Sequence, residues 1–139
     1  MNRLDGKTAL ISGASRGIGE AAARLMISVG ANVIIGDILK TKGEETAERL
    51  GPNAKFIHLD VTDENDWSNA VDLAVDQFGG LDILVNNAGL FLGRDFSDIS
   101  LDDWNRLANV NMTGVWLGTK IATDALAKRG SESSQGSAI

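Results

Sequence analysis

Four times along this chain a short apolar, β-branched run gives way to a helical pattern, and that alternation restricts the possible fold more than any single residue does. "KTALIS" at 7–12 is apolar and stops at glycines, as a buried parallel strand does. Residues 18–29 then carry Ile18, Ala21, Ala22, Leu25, Met26 and Val29 at three- and four-residue steps, one face of a helix, with Gly30 as its stop. "ANVIIGD" (31–37) is a second strand. A helical pattern over 43–50, through Ala47 and Leu50, ends at "GPN", where Pro52 cannot continue a helix. "AKFIHLDV" (54–61) is a third strand. Thr62 or Asp63 can cap the helix that follows, with Asp63, Glu64 and Asp66 in its positive first turn and Trp67, Ala70, Val71, Ala74, Val75 and Phe78 as its stripe. "GGLDILVNNAG" (79–89) reads as turn, strand, turn. Asp102 opens a long helix to about Lys128, with Trp104, Leu107, Ala108, Asn111, Val115, Ala122 and Leu126 near one face. Strands joined by helical crossovers lie parallel with right-handed connections, so the expectation is an open α/β sheet.

Length and composition set the frame for function. At 139 residues, 43% of them hydrophobic and one of them proline, the chain is expected to form one domain with a sizeable core. It has no cysteine, which excludes disulfides and thiolate metal sites, and no apolar run approaches the roughly 20 residues of a membrane span. "MNRLDGKTAL" lacks the apolar core of a secretion signal and the basic, acid-poor character of a transit peptide, so a soluble cytoplasmic protein is expected. The net charge of −6, from 13 basic and 19 acidic residues without a basic cluster, argues against nucleic acid and anionic membranes. Small molecules are the expected partners. His58 has no metal-type neighbours, so no metal site is expected; Trp67, Trp104 and Trp116 read as packing residues.

"SGASRGIG" (12–19) sets Gly13, Gly17 and Gly19 between the first strand and its helix. Glycines let a backbone turn tightly and approach a phosphate, and the helix start offers free N–H groups and a positive dipole. A structural turn would use glycines too. The strand-to-helix context strengthens the phosphate reading, as does Asp37, an acid ending the next strand about 20 residues on, where a carboxylate can accept hydrogen bonds from an adenosine ribose.

With these residues the chain resembles the short-chain dehydrogenase/reductase family. "SGASRGIG" is similar to its T-G-x-x-x-G-x-G loop with Ser12 in place of Thr, "NNAG" (86–89) to its second signature, "LDVT" (59–62) to the segment beside the adenine, and "NVNMTG" (109–114) to the helix bearing its catalytic asparagine. The resemblance covers essentially all of the chain. It implies a Rossmann-type, doubly wound parallel sheet, here incomplete, with four strands and the start of a fifth. It further implies that Gly13, Ser15, Arg16, Gly17, Ile18 and Gly19 hold the pyrophosphate of NAD(P), that Asp60 and Val61 border the adenine, and that Asn86, Ala88 and Gly89 line the cofactor. Asn86 and Asn87 can equally be read as a polar turn bridging strands. Asn111 maps to the residue that helps hold a water leading to the catalytic Lys. Asp37 would repel the 2′-phosphate of NADP and favours NAD, although Arg16 stands where NADP-preferring relatives carry a basic residue. The substrate implied is a small secondary alcohol or ketone, such as a hydroxysteroid or cyclic alcohol, and the assembly a homo-oligomer, dimer or tetramer, built on the 102–128 helix.

The family's acid/base is a Tyr whose pKa is lowered by a Lys four residues on, with a Ser orienting the substrate. This chain contains no tyrosine. Ser131, Ser133, Ser134 and Ser137 fall in a polar loop before the strand that carries the family's Ser, and Ser137, Ala138 and Ile139 read as the first residues of that strand. The expectation is therefore a cofactor-binding domain over 1–139, the N-terminal part of a chain roughly twice as long, inactive alone. The alternative is a non-catalytic nucleotide-binding module. A fourth strand without its next neighbour would present an apolar edge.

Overall fold

A computed structural model describes residues 4–139 of the chain. The reading of the opening segment falls partly on residues 1–3, outside the described residues. The elements run β1 (Thr8–Ser12), α1 (Gly17–Ser28), β2 (Asn32–Asp37), α2 (Lys40–Leu50), β3 (Ala54–His58), α3 (Glu64–Phe78), β4 (Ile83–Val85), α4 (Leu101–Ala108), a π-helical turn (Asn109–Thr113) and α5 (Gly114–Glu132). The four strands are parallel in the order β3-β2-β1-β4. This is the doubly wound α/β sheet expected.

The unbroken apolar runs of β1 and β2 follow from burial on both faces. Ala9, Ile11, Val33 and Ile35 pack toward Ala23 and Ala54 on one side. Leu10, Ile34 and Leu84 pack toward Trp67, Ala70, Ala74, Leu117, Ala122 and Leu126 on the other. Beyond β4 the start of a fifth strand is in place: the Ala138 N–H donates to the Asp82 carbonyl and the Leu84 N–H to the Ala138 carbonyl, each at 3.0 Å.

The structure differs from the sequence reading at several points. In α1 the buried positions are Gly19 and Ala23, whereas Ile18 and Leu25 are 82% and 66% exposed. A glycine does not register as hydrophobic, yet Gly19 presses against the loop before it and so sets the helix phase. α2 begins at Lys40, three residues earlier than its apolar pattern, and β3 stops at His58 because Asp60–Asp63 form a turn, with the Asp63 N–H donating to the Asp60 carbonyl. The long helix is two helices joined by a π turn, and α5 continues to Glu132, taking in Ser131. The extra residue of the π turn re-phases the stripe, so that Gly114, Leu117 and Gly118 are buried while Val115 is 38% exposed. Trp67 is a packing residue, fully buried with its indole N–H donating to the Val61 carbonyl at 2.9 Å. Trp104 and Trp116 are not, being 55% and 57% exposed; the Lys120 ammonium lies over the Trp116 ring.

Candidate functional site

The carboxyl ends of the strands open into a cleft of about 670 Å³, where an open α/β sheet binds its ligands. Its floor is the glycine loop. Gly13 and Gly17 have φ of +66° and +62°, a region L side chains rarely adopt, and a Cβ on Gly13 would stand 2.8 Å from the Ala88 Cα. Gly19 gives α1 its close approach, since a Cβ there would stand 2.5 Å from the Gly13 carbonyl oxygen. No side chain caps α1, so the N–H groups of its first turn stay available to an anion.

One wall begins at Asp37. Its carboxylate is buried and accepts the N–H groups of Ser15 and Leu39, each at 3.0 Å. These bonds hold the charge in place at the end of β2. Ser15 lies behind the loop: its carbonyl accepts the Thr46 hydroxyl at 2.8 Å, and its own buried Oγ has no partner among the described residues. Arg16, exposed at the start of α1, lines the cleft with Gly17 and Ile18.

A second wall is the turn after β3, with Asp60, Val61 and Thr62. Asp60 Oδ1 accepts both the N–H and the hydroxyl of Thr62, at 2.9 and 2.7 Å. α5 reaches this turn because Gly114 has no side chain: a Cβ there would stand 2.7 Å from Val61 Cγ2.

The remaining wall follows β4. Ser12 Oγ accepts the N–H groups of Asn87 and Ala88, each at 3.1 Å, and the Asn87 amide donates to the carbonyls of Ser12 and Gly13 at 2.9 and 3.0 Å. Ser12 and Asn87 thus join the glycine loop to the 86–89 segment. Sequence reasoning gave neither a site role; a hydroxyl directly before the first glycine was the available signal. Asn87, Ala88 and Gly89 line the cleft, whereas Asn86 turns toward α5 and donates to Thr119 Oγ1 at 3.3 Å. Asn111 answers the need for partners within an apolar helix by clamping one residue: Oδ1 accepts the Leu90 N–H at 2.7 Å and Nδ2 donates to the Leu90 carbonyl at 2.8 Å. Arg106, Asn109 and Val110, which the sequence did not single out, line the cleft beside it.

Open backbone donors at a helix start, two glycines in left-handed conformations and a fixed acid at the end of β2 together fit an adenine dinucleotide. Among the described residues no group of three or more His, Cys, Asp or Glu side chains could hold a metal ion, and no helix is long and apolar enough to cross a membrane.

Comparison with known proteins points the same way. The family model for short chain dehydrogenase matches residues 7–139. The chain is 45% identical over 137 residues to a 3-alpha-(or 20-beta)-hydroxysteroid dehydrogenase of Mycobacterium tuberculosis, covering 99% of this chain and 51% of that one. It is 42% identical to a trans-4-hydroxycyclohexanecarboxylate dehydrogenase of Sinomonas cyclohexanicum, covering 93% of this chain and 53% of that one. Among solved structures, a 3-ketoacyl-(acyl-carrier-protein) reductase from Brucella melitensis complexed with NADH superposes with a TM-score of 0.88 at 35% identity, over 93% of this chain and 53% of that one. The chain spans about half the length of these relatives.

Proposed function

This chain belongs to the short-chain dehydrogenase family, and from that premise we propose that it forms the NAD-binding part of an oxidoreductase acting on a secondary alcohol or ketone. The bound nicotinamide would supply hydride transfer. The chain's own residues bind and orient. The glycine loop from Gly13 to Gly19 takes the pyrophosphate through the N–H groups left open in the first turn of α1, Asp37 takes the adenosine ribose, Asp60 and Val61 the adenine, and Ala88 and Gly89 the inner part of the cofactor. Asn111 fixes Leu90 at the inner end of the cleft and is placed in this reading as the residue that helps hold a proton-relay water. The acid/base Tyr, its Lys and the substrate-orienting Ser are assigned to sequence other than these 139 residues, which contain no tyrosine. The named relatives support a hydroxysteroid or a cyclic alcohol as substrate.

The observation that carries the choice of NAD is the fixed, buried carboxylate of Asp37. A 2′-phosphate would bring a second negative charge against one that cannot swing away, and like charges so placed cost several kcal/mol. Titrating the protein with NAD and NADP by calorimetry is expected to show NAD binding at least about tenfold tighter, a difference of about 1.4 kcal/mol. Tighter binding of NADP would overturn the assignment.

A second reading, a non-catalytic nucleotide-binding module, is favoured by the missing tyrosine. Both readings expect these 139 residues to be inactive by themselves, so the test is NADH formation from NAD and a hydroxysteroid or cyclic alcohol by a protein that joins them to the Ser and the Tyr-x-x-x-Lys, which would exclude the second reading. Homo-oligomerisation through α4 and α5 and a cytoplasmic location complete the reading. The exposed Trp104 on α4 and Trp116 on α5, with Met112 on the turn between them, support the first of these, and sedimentation as a dimer or tetramer in the analytical ultracentrifuge would test it.

A further inference from the structure

The turn after β3 is held by the first turn of α3, and one residue there has no other task. Asp63 already caps the helix, its Oδ1 accepting the N–H groups of Asn65 and Asp66 at 2.7 and 3.2 Å. The Asp66 carboxylate is therefore released from capping, and it points back toward the end of β3. Its Oδ2 accepts the Asp60 N–H at 2.8 Å and lies 3.0 Å from His58 Nδ1. As a surface ion pair the His58–Asp66 contact would stabilise little, because both side chains are partly exposed. Its position gives it another use: it braces the carboxylate that fixes the backbone of a cleft-lining residue.

The neighbouring bonds show what that brace controls. The Trp67 indole holds the Val61 carbonyl, the Asp63 N–H holds the Asp60 carbonyl, and Asp66 holds the Asp60 N–H. With the backbone held at these points, Thr62 occupies Asp60 Oδ1 with two hydrogen bonds. Oδ2 is left as the open acceptor of Asp60 among the described residues. An adenine presents an amino donor at C6 to such an acceptor, whereas hypoxanthine presents a carbonyl that the carboxylate repels.

We propose that Asp66, braced by His58, is a positioning residue that fixes the Asp60 turn and so gives the cleft its preference for adenine over hypoxanthine. The inference rests on the dinucleotide reading above. Its test measures binding of ADP-ribose and of the hypoxanthine counterpart to wild type, Asp66→Ala and Asp66→Asn. The ratio of the two affinities is the readout, because partial unfolding lowers both affinities alike and leaves the ratio unchanged. Wild type is expected to prefer ADP-ribose. Asp66→Ala should lose about tenfold of that preference, the scale of one fixed hydrogen bond, while Asp66→Asn, which keeps an acceptor for the Asp60 N–H, should retain most of it. A ratio unchanged in Asp66→Ala would overturn the proposal while leaving the dinucleotide reading intact. Failure of wild type to bind either compound would overturn both.

Discussion

Asp82 lies at the opposite end of the sheet from the cleft, with 1% of its surface exposed and cations on two sides. Lys7 Nζ donates to Oδ1 at 3.1 Å, while the Thr8 N–H and the Arg129 guanidinium donate to Oδ2 at 3.0 and 3.2 Å. Burial by itself would raise the pKa of this carboxyl; the Thr8 N–H, Lys7 and Arg129 outweigh it and hold the group below the ordinary carboxylate value. A folded-state pKa below the unfolded one adds stability that is complete above the unfolded value and is lost as the pH falls through the folded value. Asp82→Asn leaves two partly buried cations short of their acceptor, so a loss of about 3 kcal/mol at neutral pH is expected. Urea unfolding of wild type and variant across pH checks this: the gap between them should narrow only at acid pH, below about 4, as Asp82 protonates in wild type. A gap independent of pH would contradict the ion-pair account.

At the scale of elements, the decisive contact is α5 against α3. The turn of π helix at Asn109–Thr113 shifts α5 so that Gly118 faces Trp67 and Asn86. A Cβ on Gly118 would stand 2.5 Å from the Trp67 ring and 2.8 Å from Asn86 Oδ1, so the helix can approach only without a side chain there. Gly118→Val should therefore push α5 away from a ring that cannot yield, with a loss of about 2 kcal/mol or more, as overpacking does in closely packed cores. Thermal unfolding followed by far-ultraviolet circular dichroism measures it. A variant as stable as wild type would mean that α5 is free to slide.

For the whole molecule, the sensitive place is the outer edge of β4. Three residues long and apolar, β4 pairs with β1 on one side and, among the described residues, meets the Ala138 bridge on the other. A strand edge whose ladder is broken invites pairing between molecules. Ala138→Pro removes the N–H that bonds the Asp82 carbonyl, and concentration-dependent association by light scattering is expected to rise in that variant. Unchanged scattering would show that the bridge does not protect the edge.

Periodicity and glycine placement were enough to read the alternation of strands and helices, the parallel sheet, the phosphate-type loop and Asp37 from the sequence, because each is a pattern within a few residues of chain or the sum of such patterns. The motifs of the family resemblance added Asn111 and the 86–89 segment. What the sequence could not supply were relations between distant residues: the Ser12–Asn87 tie spans 75 positions, and the Lys7–Asp82 pair as many. The exposed outer stripe of α1, the re-phased α5 and the brace of Asp66 on Asp60 arise from how closely elements approach. A glycine or a spare lone pair contributes there, and neither leaves a periodic trace. Local chemistry along the chain determined which segments form the cleft; only tertiary packing decided which side chains line it and which hold it from behind.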